Sequence, residues 1–461
     1  MSSKGVHITI ATNDEVSGKQ LQQKNPQNIS LVIVDIVKAK DCEELLKQHD
    51  LAVSLIPPHL HHIIARYCLN TNRDLVTSSY ISPQIKALAE EAKAKGLTFL
   101  FEIGLDPGID HIVTMKMVDD VRKKMGRVKR LTSVCSALVS PEFVDNPLGY
   151  KFTWAPVGVF KALSEAKYLK EGKLVHVNRE DLLYSVEKFD LNSALNLMVY
   201  PNRDSLKYRK IYGIEDASEV LRGTLRYKGF PELVAAFMEI GLLELKAFPE
   251  SINNYPQLID MLCKPDNKDT DNLSTLIYSK LINELSNHKI DINLTNFFRK
   301  VTKHAFWGIL DETQKIERLR FICEGFIHFG FFDSKTRFDR KPTILETFVE
   351  LLKATMILKP HEKDFTILIV EIEAMFPKQG LSETHSLKLL QSGEGDKGLS
   401  SVSKLVGYPC AIGTELVLNG KLKGEGLIGP FEKKVYLPLF NGLRQRGIIQ
   451  ETVVKHHMPK L

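Results

Sequence analysis

The feature that most constrains the fold of this chain is the alternation in its first hundred residues. Apolar runs at 6–11, 31–36, 51–56, 75–77 and 97–103 read as strands, and helix-like stretches lie between them near 15–24, 42–48, 62–68 and 83–95. Strand and helix in alternation require a parallel sheet with helices on its faces. The runs are largely apolar, as strands covered on both sides should be. In such sheets ligands sit at the carboxyl ends of the strands. At 461 residues the chain exceeds one ordinary core, so two or three domains are expected.

One junction at that edge is sharply specified. Leu105-Asp106-Pro107-Gly108-Ile109-Asp110-His111 follows the run at 97–103 and precedes a helix-like stretch at 112–118. Asp, Pro and Gly there start a helix at a fixed entry angle. The junction puts two carboxylates and an imidazole near a strand end. Asp106 reads equally as a plain helix cap, and His111 reads better as a structural imidazole than a catalytic one. Ser78-Ser79-Tyr80 ends the run at 75–77 on the same edge, with a helix cap before Ile81-Ser82-Pro83 as the plain alternative.

Beyond residue 128 the pattern changes to longer strands and polar loops, ending at 222–230. Residues 234–355 read as mostly helical, interrupted by the polar linker Pro265-Asp266-Asn267-Lys268-Asp269-Thr270-Asp271-Asn272. A run at 365–372 resumes strand character, and helix signals recur at 402–404, 411–419 and 439–445. In Arg222-Gly223-Thr224-Leu225-Arg226-Tyr227-Lys228, period two puts Arg222, Thr224, Arg226 and Lys228 on one face. Fixed cations with a hydroxyl suit carboxylates. A solvated strand face fits the pattern equally well. Tyr200-Pro201-Asn202-Arg203-Asp204-Ser205 is a turn, where an Arg is usually solvated. The aromatics of Asn146-Pro147-Leu148-Gly149-Tyr150-Lys151-Phe152-Thr153-Trp154 read as core before pocket. Cys135 reads as a small buried residue.

Net charge is only +6, with the basic residues dispersed, which gives no nucleic-acid signature and suits an anionic substrate. The six cysteines have no close pair, which argues against a disulfide framework or a zinc site and for a reducing compartment. No metal site is expected. The longest apolar runs fall short of a bilayer span, so no membrane partner is expected. The start, Met1-Ser2-Ser3-Lys4-Gly5-Val6, resembles neither a secretory signal nor a transit peptide.

The first strand leads into Thr12-Asn13-Asp14-Glu15, which looks like the end of a second Rossmann strand, where an acid or amide meets ribose hydroxyls. A first strand with its glycine-rich phosphate turn is expected to be missing, and this predicts weak nicotinamide binding. The formal G-x-G-x-x-G at Gly393-Glu394-Gly395-Asp396-Lys397-Gly398 follows a poor buried strand and reads as a polar turn before a helix at 400–406.

Together these blocks resemble the glutamate-forming saccharopine dehydrogenases, including the dehydrogenase half of animal alpha-aminoadipic semialdehyde synthase. The blocks carrying the resemblance include Val53-Ser54-Leu55-Ile56-Pro57, Thr77-Ser78-Ser79-Tyr80-Ile81, the 104–111 junction, Tyr200–Ser205, Ile211-Tyr212-Gly213-Ile214, 221–229 and Gly426-Leu427-Ile428-Gly429-Pro430-Phe431. The resemblance implies an α/β fold with three parts: an incomplete Rossmann-type domain at 1–104 plus 400–461, an inserted α/β substrate domain at 105–233 plus 356–399, and a helical domain at 234–355. It implies oxidation of saccharopine to glutamate and aminoadipate semialdehyde, a step of lysine degradation. The alternative is a non-catalytic or truncated relative that keeps a carboxylate site without a phosphate loop, and a third reading is a binding or scaffold protein. By resemblance Asp106, Tyr80 and Cys135 stand at the reacting centre, with Cys135 as a wall. Arg203, Thr224 and Ser79 bind substrate, and Asn13, Asp14, Asp35, Ser54, Leu55 and Ile56 meet the cofactor. NAD is favoured over NADP because no Arg closely follows Asn13-Asp14. The expected partners are saccharopine or glutamate, with a homo-oligomer or a reductase partner domain as further partners. The animal relatives imply a mitochondrial protein, and a chain complete at Met1 would be cytoplasmic. One departure stands out: the family's Cys-Gly-Gly-Leu-Pro-Ala-Pro-Glu is Cys135-Ser136-Ala137-Leu138-Val139-Ser140-Pro141-Glu142 here, which adds side chains where substrate would pass.

Overall fold

The computed structural model describes residues 5–24, 28–192, 194–265, 273–450 and 452–457. Residues 1–4 and 266–272, which carry the N-terminal segment and most of the polar linker, lie outside the described residues. In chain order the strands are β1 (Ile8–Thr12), β2 (Ile29–Ile33), β3 (Leu51–Ser54), β4 (Asp74–Thr77), β5 (Thr98–Leu100), β6 (Arg127–Val139), β7 (Ala166–Lys170), β8 (Lys173–Val177), β9 (Glu187–Phe189), β10 (Leu197–Pro201), β11 (Glu219–Tyr227), β12 (Asp364–Phe376), β13 (Leu381–Ser392), β14 (Gly426–Ile428) and β15 (Val453–His457).

The opening alternation forms parallel pairs, as its apolar runs require. β1 pairs with β2 alone, while β3, β4, β5 and β14 form a separate parallel sheet in the order β14-β5-β4-β3. No ladder joins β1 to β3. In the doubly wound order one strand lies between those two edges, and no described residue occupies that place. A side-chain bond from His49 to the Thr9 hydroxyl (2.7 Å) spans the gap. The apolar run at 97–103 pairs as a strand only at Thr98–Leu100. The left-handed backbone at Glu102 (φ 57°) turns the chain, and Glu102 N–H donates instead to the Ser79 carbonyl (3.1 Å).

A larger mixed sheet runs β15-β13-β12-β6-β11-β10-β9, with β7 and β8 attached beside β11. Helix Ile109–Lys123 lies between the two sheets and is buried along most of its length. Its apolar face joins β6, β12, helix Ser401–Leu418 and helix Lys433–Gln445 in one core. The helix signals at 402–404 and 411–419 belong to the single helix Ser401–Leu418, which carries Pro409 inside it. Residues 230–356 are mostly helical around an aromatic core that includes Phe237, Phe326, Phe331 and Phe348. Tyr150 and Phe152 belong to that same core, while Trp154 is exposed.

The Gly393–Gly398 motif does follow a strand and precede a helix, but β13 is antiparallel to its neighbour β12. The start of helix Ser401–Leu418 is already filled by the buried Asp364 carboxylate, which accepts from Ser401 N (2.7 Å), Val402 N (2.9 Å) and the Ser401 hydroxyl (2.7 Å). A carboxylate there satisfies the donors a phosphate would use.

Candidate active site

The 104–111 junction forms a tight loop at the edge of the first sheet. Gly104 N donates to the Pro107 carbonyl (2.9 Å), and the Gly104 carbonyl accepts from Ile109 N (2.9 Å). Gly108 sits at φ 148°, and a Cβ there would overlap the Gly104 backbone, so only glycine fits. Its N–H donates to Asp110 Oδ1 (2.7 Å), which orients that carboxylate. The Asp106–Pro107 peptide is cis.

β11 supplies the cation that meets these acids. The Arg222 guanidinium donates to Asp106, to Asp110 Oδ2 (2.7 Å) and to the Tyr80 hydroxyl (3.1 Å). The Tyr80 hydroxyl in turn donates to Asp106 Oδ1 (2.7 Å). Both contacts use the same Asp106 oxygen, and Oδ2 accepts no hydrogen bond among the described residues. Burial pushes the Tyr80 phenol well above its ordinary pKa, with Arg222 opposing and Asp106 reinforcing the shift. Tyr80 is therefore a neutral donor and not a phenolate base. Of the strand face read as cationic, Arg222 is 1% exposed and Arg226 is buried over Tyr150 and Phe230, while Lys228, just past β11, is exposed.

Two cations remain uncommitted. Arg203 is exposed at φ 54° in the turn after β10, with its guanidinium 5.3 Å from the Tyr80 ring centre. Lys207 opens helix Lys207–Tyr212, its ammonium 5.2 Å from the Tyr80 ring and 4.6 Å from that of Tyr208. Neither side chain makes an ion pair or hydrogen bond among the described residues. Burial lowers the Lys207 pKa, Arg222 and Arg203 lower it further, and Glu102 and Asp204 pull the other way. Lys207 was not foreseen from the sequence, because one lysine at a helix start carries no spacing signal.

Thr224 is half-buried and stands opposite Cys135 in the parallel register of β11 and β6. Cys135 is buried, and burial followed by the Asp106 and Asp110 charges pushes its thiol well above the ordinary range. That environment disfavours the thiolate a nucleophile needs. The departures at 136 and 137 fall inside β6. The Ser136 hydroxyl donates to the Leu225 carbonyl (2.5 Å) and accepts from Arg226 (2.7 Å), so the added side chain is tied into the strand pair. His111 is fully buried between Glu102 (3.1 Å) and the Tyr212 hydroxyl (2.5 Å), against the rings of Tyr208 and Phe431. Burial alone would raise the Glu102 pKa, but the neighbouring His111 and the bond from Ile81 N hold it below the usual carboxylate range.

Residues expected at the cofactor lie along the carboxyl ends of β1, β2 and β3. Asn13, Asp35 and Leu55 are exposed there, and Ile56 is half-buried. They supply polar groups for ribose hydroxyls and an apolar platform, so they fit the nucleoside parts of a dinucleotide. Asp14 instead caps its own helix, accepting from Val16 N and Ser17 N (both 3.1 Å). Ser54 is buried against His61, which also reaches Ser79. The described residues include no G-x-G-x-x-G turn that follows a parallel strand and opens a helix.

Residues 2–100 match the family model of the saccharopine dehydrogenase NADP binding domain, and residues 104–448 match the saccharopine dehydrogenase C-terminal domain. The NADP(+)-dependent, L-glutamate-forming saccharopine dehydrogenase of Saccharomyces cerevisiae is 32% identical over 96% of this chain and 92% of its own length. The mitochondrial alpha-aminoadipic semialdehyde synthase of Rattus norvegicus is 30% identical over 98% of this chain, which spans 46% of that longer protein. A solved structure of the apo yeast saccharopine dehydrogenase (L-Glu forming) superposes with a TM-score of 0.77 at 31% identity, covering 98% of this chain and 94% of that one. With both halves matched and a relative aligned almost end to end, the expected family and Rossmann-like α/β fold with a nicotinamide-type domain are borne out: the chain belongs to the saccharopine dehydrogenase family.

Proposed function

We propose that this chain oxidises saccharopine to glutamate and aminoadipate semialdehyde with NADP. The observation that carries the reading is the pair of uncommitted cations, Arg203 and Lys207, beside the Tyr80–Asp106 pair. Saccharopine bears three carboxylates and one secondary amine. Arg203, Lys207 and the Thr224 hydroxyl suit its carboxylates. Asp106 Oδ2 is free to accept from the amine and to take its proton, while Arg222 and Tyr80 hold the other oxygen still. The neutral Tyr80 hydroxyl can then donate during addition of water to the imine. A bound nicotinamide supplies the hydride acceptor. Asn13, Asp35, Leu55 and Ile56 would hold its nucleoside parts. NADP replaces the NAD expected from the sequence, in keeping with the family domain and the yeast relative's name; the exposed Lys38 and Lys40, beyond Asp35, are cations suited to an extra phosphate. With its animal relatives the chain would act in mitochondria.

A second reading, carboxylate binding without turnover, rests on the side chains that Ser136 and Ala137 carry where the family motif has glycines. One assay separates the two: saccharopine affinity by calorimetry beside the appearance of reduced nicotinamide. Turnover with NADP supports the first reading, binding without turnover supports the second, and neither binding nor turnover rejects both.

A further inference from the structure

The buried imidazole of His61 has no role in the chemistry above, yet it joins two residues from different strand ends. Its Nδ1 meets the Ser54 hydroxyl at 2.8 Å, and its Nε2 meets the Ser79 hydroxyl at 2.7 Å. Ser54 ends β3, Ser79 follows β4, and His61 opens helix His61–Thr71 between them. His61 is 2% exposed and Ser54 is 4% exposed, while Ser79 is half-buried. Tyr80 follows Ser79 directly and reaches Asp106.

From this bridge we infer that His61 is a positioning residue, which fixes the Ser79 hydroxyl and the Tyr80 loop for an anionic substrate group. The inference rests on the saccharopine reading. Burial, with His59 adding to it, lowers the His61 pKa to about 4, so the ring is neutral near pH 7. A neutral imidazole has one donor and one acceptor. With the proton on Nε2, the ring donates to the Ser79 oxygen, and the Ser79 O–H is free to point outward. Nδ1 then accepts from the Ser54 O–H. With the proton on Nδ1, Ser79 must spend its own proton on the ring and offers only lone pairs, which repel a carboxylate. An anionic ligand at Ser79 therefore selects the Nε2–H form. The loop is pinned from its other side as well, by Ile81 N donating to Glu102 Oε1 (3.0 Å). Removing the imidazole takes away the side-chain anchor of Ser79, while the Ser79 carbonyl, Tyr80 and Ile81 N keep their bonds to Glu102 N, Asp106 and Glu102.

Two conservative variants separate the two halves of the bridge. A glutamine amide reaches the place of Nε2 and keeps the Ser79 bond, whereas an asparagine amide reaches that of Nδ1 and keeps only the Ser54 bond. The experiment compares wild type, His61→Gln, His61→Asn and His61→Ala in thermal unfolding, saccharopine kinetics and amide hydrogen exchange across residues 78–82. His61→Gln should keep a KM near that of wild type, while His61→Asn and His61→Ala raise it ~10-fold, the factor for about one hydrogen bond. Exchange at 78–82 should quicken in Asn and Ala but not in Gln, even where thermal stability is matched. Equal KM and equal exchange in Gln and Asn would overturn the inference, as would changes that merely follow the unfolding temperature. Should wild type neither bind nor oxidise saccharopine, the function reading fails, and the exchange comparison still decides whether His61 orders the loop.

Discussion

At Arg222 one buried guanidinium faces two carboxylates and a phenol. Removing one partner from such a group costs more than the group contributes, because the remaining charges stay desolvated. Arg222→Met should therefore lower stability by about 3–5 kcal/mol in urea unfolding; a loss under about 1 kcal/mol, the range of an exposed pair, would contradict the buried network. Arg203 behaves differently, being exposed and uncommitted. Arg203→Ala should weaken saccharopine binding by roughly 1.5–3 kcal/mol, the range for a bond to a charged group, with little change in unfolding. Unchanged affinity in calorimetry would remove Arg203 from the site. Lys207 gives a pH signature. Its lowered pKa means that the folded protein gives up this proton at a lower pH than an ordinary lysine. Substrate affinity should thus decline on the alkaline side earlier than an ordinary lysine would allow, with proton uptake on binding in that range. Lys207→Met should abolish that limb. The same shift disfavours the folded state at neutral pH, and this penalty fades as pH rises from the folded value to the unfolded one.

At the scale of elements, the first lesson is how a helix start chooses its anion. Asp364 opens β12 and caps helix Ser401–Leu418 three times over. Asp364→Ala should cost roughly 1–3 kcal/mol in stability, the penalty for buried donors left unpaired, while leaving NADPH affinity in fluorescence titration unchanged. A large fall in that affinity would return Gly393–Gly398 to consideration as a phosphate turn. The junction at Gly108 tests the opposite case, an element start built for chemistry. Gly108→Ala forces a Cβ into the Gly104 backbone at a φ that disfavours side chains. It should destabilise by more than about 1 kcal/mol and also weaken saccharopine binding, since Asp106 and Asp110 flank it. Wild-type affinity in a folded Gly108→Ala protein would show that the loop does not hold the carboxylates.

Across the whole molecule, the tail is what seats the site. Helix Lys433–Gln445 lays Val435, Leu439 and Leu443, all fully buried, against helix Ile109–Lys123, and Phe431 closes over His111. Leu439→Ala should cost ~2–5 kcal/mol, the range for a core leucine, read as a lower urea midpoint; no change would mean that this contact is not part of the core. The sequence alone determined the parallel character of the opening strands, the family, the 104–111 junction, and the shared face of Arg222, Thr224 and Arg226. Those are periodicities and turn chemistry, set by neighbours a few residues away. Only the tertiary structure decided which cations are spent and which are free. Arg222 is neutralised by Asp106 and Asp110, more than a hundred residues earlier, while Lys207 is left open among aromatic rings. His61 was invisible for the same reason: its two serines come from different strand ends. Charge and hydrogen-bond pairing depend on distance through space, and spacing along the chain does not carry that distance.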